Sequence, residues 1–291
     1  MDMPRAFVCA KIHVTMHWLL QQQALSREID LFESIVRTLD NGGIPWTAVR
    51  ALSFTEKIVA VDEDVNGKDF SDIPELVLDI EGPVIVYGSY TLALIAAKKG
   101  WTPGAFVNDY FTHDAWVEGW GADALLNGDA VVCDLGALGK EMLGRTDVFL
   151  RPFEDTKSFS GMVMAREEAL WWANNVVAAE SPMLNSATKI VVASTRVILA
   201  EYRLFVVDRR VVTSSLYKMG TRVISNAYTP DNVLDFAQRC IEQWVPDRAF
   251  VLDIAETPEG LCIIEVNNIN SSGVYAADIS KLIQELDSMA F

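Results

Sequence analysis

The stretch VLDIAETPEGLCIIEVNN, residues 251–268, holds the side chains with the clearest chemical meaning. Asp253 follows Val251 and Leu252, Glu265 sits among Ile263, Ile264 and Val266, and Asn267 ends the second run. Two β-branched runs around E-T-P-E-G read as an antiparallel hairpin, with Asp253 and Glu265 on opposite arms. Asn267 is two residues beyond Glu265, so the two share a face of their strand. Carboxylates on a sheet otherwise built of Val, Ile and Leu lose hydration and repel one another. That costs several kcal/mol unless a cation or a donor offsets it. Grouped oxygen ligands suit Mg²⁺, which takes one or two carboxylates and completes its shell with water and phosphate oxygens. A solvated hairpin face is the other reading, and spacing alone leaves both open.

Upstream residues supply charge of the opposite sign. FLRPFEDTKSFSG, residues 149–161, puts Arg151 at the end of an apolar run and Lys157 in a polar turn. VILAEYRLFVVDRRVV places Glu201 and Arg203 on one side of a strand, with Lys218 beyond the following arm. Such cations are the groups needed to hold anionic oxygens.

The elements that must position these residues fall into two kinds. In the first half SREIDLFESIVRTLDNGG reads as a helix capped by Ser26 and stopped at Asn41-Gly42, after a strand in RAFVCAKI. GPVIVYGSYTLALIAAKKGWTPG reads as a strand at 83–87, a Gly88-Ser89 turn and a helix from Tyr90, ended by Gly100 and Pro103. That alternation is an α/β pattern. In the second half FVVDRRVVTSS and the opening stretch read as hairpins. Between them TPDNVLDFAQRCIEQWV forms a helix with Thr229 as cap, Pro230 first, and Val233, Phe236, Ala237, Cys240, Ile241 and Trp244 on one face. An α/β lobe is therefore followed by an α+β lobe, and the Gly- and Asp-rich region at 104–148 is where a boundary falls.

With 40 acidic against 24 basic residues, a formal charge of −16 repels nucleic-acid backbones, so no nucleic acid is expected as partner. The longest apolar stretches, such as VVASTRVILA, fall short of the roughly 20 residues a membrane span needs. MDMPRAFVCAKIHV lacks the pattern of a secretory signal, and Cys9, Cys133, Cys240 and Cys262 include no C-x-x-C pair. Reduced thiols in a cytoplasmic protein are expected.

Weaker signals are set aside. GALGKEM at 136–142 lacks the glycine spacing and the hydroxyl residue of a phosphate loop, and Gly88 stands without a G-x-G-x-x-G set. Cys9, His13 and His17 would gather a metal only on a helix, which their β-branched neighbours oppose. His113 reads as a surface or loop residue, and the pair Trp171-Trp172 as core and groove packing.

Taken in order, these elements resemble the ATP-grasp superfamily in its carboxylate-amine ligase-like form, and among its members a divergent clade from phage and bacteria. That family's metal signature is an acid on one strand and, about a dozen residues later, Glu-x-Asn on the next, matched by Asp253 and Glu265-Val266-Asn267. IVVAS at 190–194 matches the apolar hinge strand that receives adenine, and EYR at 201–203 the acid and strand Arg that follow it. Arg151-Pro152 stands where most members have Lys-Pro.

The match covers 149–273 and implies an N-terminal α/β, pre-ATP-grasp-like region at 1–148 and an ATP-grasp core at 149–291. Within the core it implies a smaller lobe at 149–193 and a metal-binding lobe at 194–291, built on antiparallel sheets. It implies ATP and Mg²⁺, with Asp253, Glu265 and Asn267 on the metal. Arg151, Lys157, Val192, Ala193, Ser194, Glu201 and Lys218 would lie around the nucleotide, the backbone of 192–194 meeting adenine along a free ladder. Arg203 would stabilise an acyl phosphate, and Asn270 and Ser271 would touch the acceptor. The implied reaction joins a small-molecule carboxylate and an amine, a peptide among the candidates, with release of ADP. A nucleotide-binding interaction protein without turnover and a kinase remain the alternatives, and association into a homo-oligomer is left open.

Overall fold

The computed structural model describes residues 16–21, 26–52, 55–65, 67–69, 71–107, 112–142, 144–153, 159–179, 181 and 184–289. The strand expected in RAFVCAKI, with Cys9, and also His13 and Lys157, lie outside these residues. The chain forms two compact units, Met1–Ala105 with Asp287–Phe291, and Phe106–Leu286. Among the described residues no helix is long and apolar enough to cross a membrane.

The first unit is the α/β pattern. Its elements are β1 (His17–Gln21), α1 (Ser26–Gly42), β2 (Trp46–Ala51), β3 (Ile58–Val59), β4 (Val84–Tyr87), α2 (Tyr90–Lys99) and β5 (Pro103–Gly104). They form one sheet in the order β3-β2-β1-β4-β5, parallel except for the β2–β3 edge pair. Strands covered on both faces need continuous apolar runs, and Trp18, Leu19, Leu20, Val84, Ile85 and Val86 are all buried. Helix α2 begins as its sequence dictates, Ser89 Oγ accepting from the Leu92 N–H, and ends at Gly100 in the left-handed region (φ 68°).

The second unit holds α3 (His113–Trp120), β6 (Val131–Asp134), α4 (Leu138–Glu141), β7 (Asp147–Pro152), β8 (Met162–Ala165), α5 (Arg166–Ala179) and β9 (Lys189–Ala193). It continues with β10 (Ala200–Val207), β11 (Arg210–Met219), β12 (Arg222–Asn226), α6 (Asp231–Gln243), β13 (Ala249–Thr257), β14 (Gly260–Asn267) and α7 (Ile279–Asp287, its last residue belonging to the first unit). Two antiparallel sheets result, β6-β9-β7-β8 and β12-β11-β10-β13-β14. The units divide at 105/106, inside the region 104–148 where the sequence places a boundary. The smaller sheet starts before 149, because β6, which looked like part of a loop-rich stretch, pairs with β9 through Cys133 opposite Ile190.

Both expected hairpins form. The first closes at Val207 opposite Arg210, with Asp208 and Arg209 at φ 44° and 63°, the twist that two-residue hairpin loops require. The second closes at Thr257 opposite Gly260. One face of the larger sheet buries Tyr202, Leu204, Val206, Leu252 and Ile254 with Val233, Ala237, Cys240 and Ile241 of α6, the stripe its periodicity predicts. Helix α6 starts at Asp231, with Pro230 rather than Thr229 at the cap position. The buried Thr229 hydroxyl makes no hydrogen bond among the described residues, because proline at the cap position leaves the threonine one residue too early. Close approach explains one glycine: a Cβ on Gly119 would lie 2.3 Å from the ring of Trp244.

Candidate active site

Period-2 alternation puts Tyr202, Leu204 and Val206 into the core and Glu201 and Arg203 on the opposite face of β10. The register then aligns the chemistry across three strands, with Arg203 opposite Asp253 and Asp253 opposite Glu265. Two irregularities complete the site. In β14, Ile254 pairs with Ile263 while Asp253 pairs with Glu265, so Ile264 is an extra residue. That bulge sends Ile263 and Val266 into the core and leaves Glu265 and Asn267 beside Asp253. In β11, Glu201 pairs with Lys218 and Tyr202 with Leu216, which makes Tyr217 the extra residue. Tyr217 and Lys218 consequently both reach Glu201, the phenol donating at 2.7 Å and the ammonium forming an ion pair.

Asp253 is fully buried (0% exposed) and grips Arg203 by both oxygens. Arg203 Nε donates to Oδ1 at 2.9 Å and Nη2 to Oδ2 at 2.6 Å. Nη1 donates to the Gly273 carbonyl at 3.3 Å. A guanidinium has five N–H groups, so among the described residues two are left without an acceptor on the Nη edge. Asn267 Nδ2 bridges the carboxylates, donating to Asp253 Oδ2 at 3.2 Å and Glu265 Oε1 at 2.9 Å. Burial pushes the Asp253 carboxyl up to about 6, with Arg203 opposing the rise and Glu265 and Glu201 adding to it. Burial also works against the Arg203 charge, but the Asp253 carboxylate more than restores it and holds the guanidinium above its ordinary value.

These residues fit a magnesium ion. Asp253 and Glu265 bring carboxylate oxygens, the hard donors that ion takes, side by side, and the Asn267 amide, which turns its Nδ2 to them here, would offer its oxygen by a half-turn of the amide. Charge argues the same way: among the described residues Asp253, Glu265 and Glu201 face Arg203 and Lys218, which leaves one negative charge for a cation to balance.

The remaining expected site residues are placed less uniformly. Arg151 lies on β7 with its guanidinium 4.6 Å from the ring centroid of Trp116, whose buried indole N–H has no hydrogen-bond partner among the described residues. Val192 has no free ladder, because β9 is flanked by β6 and β7, with Val192 opposite both Val131 and Leu150. Pairing with β6 ends there, so an open edge begins only at Ala193 and Ser194, and the Ser194 hydroxyl accepts from Arg145 Nη1 at 3.2 Å. Asn270 is turned inward: it is buried, and its Oδ1 accepts from the Phe106 N–H at 2.9 Å. Ser271 ends the short helical turn Ile269–Ser271.

Sequence reading missed several residues around the site. Tyr217 and Tyr275 stack on each other at 5.1 Å and lie 5.2 and 5.4 Å from the Arg203 guanidinium. Alternation from Ser215, opposite Arg203, puts Tyr217 on that face, and the β11 bulge adds Lys218 to it, a register no local sequence mark gives. His113 is buried at the start of α3 instead of exposed, and its basicity is lowered by burial and by Arg151. Trp171 is exposed (68%), against the expected packing, while Trp172 packs on Phe159 at 5.1 Å. Two adjacent helical residues point about 100° apart, so one face cannot bury both.

The sequence matches the ATP-grasp domain, family 3 of the R-2K clade, over residues 51–286. No curated protein sequence matches it. Among solved structures the fold is similar to a RimK domain ATP-grasp protein from Sphaerobacter thermophilus, at 15% identity and a TM-score of 0.61, covering 92% of this chain and 97% of that one. D-alanyl-alanine synthetase A from Vibrio cholerae aligns over 94% of each chain at 12% identity and a TM-score of 0.58. The ATP-grasp ligase PsnB, complexed with precursor peptide PsnA2 and AMPPNP, covers 95% of this chain and 97% of its own at 12% identity and a TM-score of 0.55. Identities this low carry the fold alone, but the family match spans most of the chain. The protein belongs to the R-2K clade of the ATP-grasp family.

Proposed function

We propose that the protein is an ATP-dependent ligase that joins a carboxylate to an amine of the amino-acid or peptide class through an acyl phosphate. The observation that supports this most is the convergence of Asp253, Glu265 and Asn267 beside an Arg203 that keeps two N–H groups uncommitted. In the first step an oxygen of the acid attacks the γ-phosphorus of ATP and the bond to the β–γ bridging oxygen breaks, giving ADP and an acyl phosphate. In the second, the amine nitrogen attacks the acyl carbon, phosphate leaves, and the surplus proton passes to solvent.

Phosphoryl transfer asks mainly for positioning and charge neutralisation. Asp253, Glu265 and Asn267 would hold Mg²⁺, which when bound withdraws charge from the transferring group. Arg151, Lys157 and Lys218 hold the phosphates of ATP, Lys218 being kept in place by Glu201. Backbone groups of Ala193 and Ser194, past the end of the β6 ladder, receive the adenine edge. Arg203 offers its free edge to the acyl phosphate and to the tetrahedral species that follows, where a preorganised donor is worth on the order of 3 kcal/mol. Ser271 is the residue proposed to contact the acceptor. A peptide acceptor is supported by PsnB, whose similar fold holds a precursor peptide.

The test incubates the protein with ATP, Mg²⁺ and a panel of amino acids and short peptides. ADP release that depends on an acid, together with a hydroxamate when hydroxylamine replaces the amine, is expected. A stable phosphorylated product would make the protein a kinase. ATP binding with no ADP release from any member of the panel would make it a binding protein.

A further inference from the structure

The segment after β14 crosses back over the catalytic face and is fastened to it at four points. Arg203 Nη1 donates to the Gly273 carbonyl at 3.3 Å. The Ser215 hydroxyl accepts from the Ala276 N–H at 3.2 Å, and Thr213 Oγ1 accepts from the Asp278 N–H at 2.7 Å. Tyr217 stacks on Tyr275 with an interplanar angle of 19°. Thr213, Ser215 and Tyr217 are alternate residues of β11, so one face of that strand supplies three of the four points and Arg203 of β10 the fourth.

Within the strap, Val274–Ala277 is a tight turn closed by the Ala277 N–H on the Val274 carbonyl at 3.0 Å. Tyr275 has φ 53° at the first of its two central positions, where turns of positive φ prefer glycine. A bulky residue in that region is strained, and such strain persists only where surrounding contacts impose it. The ring is 43% exposed, so burial of its area does not account for the choice of residue. What the strained backbone achieves is to lay Tyr275 against the Arg203 guanidinium, 5.4 Å away, in company with Tyr217.

We infer that this strap makes Tyr275, together with Tyr217, a positioning residue for Arg203: Asp253 grips the guanidinium along one edge, and the stacked tyrosines lie against it as one cation–ring support, so that its remaining N–H groups keep one direction. The inference rests on the proposed ligase reaction for its catalytic consequence, though not for the contact itself. Nothing covalent happens at either tyrosine.

The experiment combines turnover with a readout that needs none. Tyr275→Leu lowers kcat for acid-dependent ADP release by about 5- to 30-fold with little change in the KM for ATP, the loss expected for a desolvated cation–ring contact. Tyr275→Phe keeps the ring and restores kcat to within about twofold of the native value. Tyr275→Gly relaxes the turn, so it melts no earlier than Tyr275→Leu yet shows the same loss of kcat. In an Arg203→Lys background the Tyr275→Leu effect disappears, since the two act as a unit. Independently of activity, the Nε–Hε signal of Arg203 in ¹⁵N-labelled protein is displaced by the rings and exchanges slowly, and both features weaken in Tyr275→Leu.

An unchanged Arg203 signal in Tyr275→Leu overturns the inference, as does a Tyr275→Phe as impaired as Tyr275→Leu, or a defect of full size in the Arg203→Lys background. Wild-type protein that releases no ADP while its Arg203 signal still responds to Tyr275→Leu overturns the ligase reading and supports the contact.

Discussion

Arg151 and Arg203 are the two arginines expected to meet anions, and both stand on strands of antiparallel sheets against aromatic rings, but their sheets treat them differently. Arg203 is gripped at its edge by a fully buried carboxylate and flanked by the stacked pair Tyr217 and Tyr275, on a sheet face that also carries Glu201, Glu265 and Asn267. Arg151 lies on the ring of Trp116, on a smaller sheet packed by Leu135, Leu138, Val148, Leu150, Ile190 and Val192. A buried charge obliges the neighbouring strand to supply its opposite, as Asp253 does for Arg203. The larger sheet therefore carries a buried ion pair on one face and an apolar core on the other, and the smaller sheet is packed by its core.

The largest expected effect follows from that contrast. Arg203→Leu leaves Asp253 buried beside Glu265 and Glu201 without its counter-charge, and urea unfolding in magnesium-free buffer should show a loss of about 3–5 kcal/mol. Arg151→Leu should lose about 1 kcal/mol or less. Equal losses would mean that the two sheets do not differ in this way.

Glu265→Gln keeps the shape and hydrogen-bonding reach of the side chain but removes its charge. Its melting temperature should stay within a few degrees of the native value, while ADP release falls roughly 100-fold or more. A matching rise in the Mg²⁺ concentration needed for half-maximal activity would sharpen the assignment of this face to the metal. Arg151→Ala should act on binding instead, raising the KM for ATP about tenfold with kcat nearly preserved, as loss of one charged hydrogen bond predicts.

The smallest effect concerns His113, beside Arg151. Its folded-state basicity is depressed, so its contribution to stability is complete above its unfolded value of about 6.5 and is lost as pH falls through the folded value. Melting temperatures measured from pH 7 to pH 5 should therefore fall less steeply in His113→Gln than in the native protein. An identical slope would remove His113 as the titrating group.

Much of the larger sheet was readable because its sequence contradicts itself locally. Asp253 among Val251, Leu252 and Ile254, and Glu265 between Ile264 and Val266, are chemical mismatches that alternation alone would not place on covered strands. The turns E-T-P-E-G and D-R-R then set which residues face one another. The smaller sheet offered no such mismatch. Residues 131–134 carry no helical or hairpin signal strong enough to assign them to a strand that pairs with 189–192, and β9 consequently looked like a free edge. His113 was misjudged for a related reason, since nothing in its neighbours shows that α3 is packed inward.

The sequence by itself determined the grouping of Asp253, Glu265 and Asn267, the strand that bears Arg203 and the two hairpins that bring them close, because side-chain alternation and turn chemistry act over a few residues. Tertiary structure alone decided the bulges at Tyr217 and Ile264, the division of the chain at 105/106, the double flanking of Val192 and the strap that lays Tyr275 against Arg203. Each of these depends on the register between segments far apart in the chain, and register is chosen by the packing of the whole sheet, not by any stretch of it.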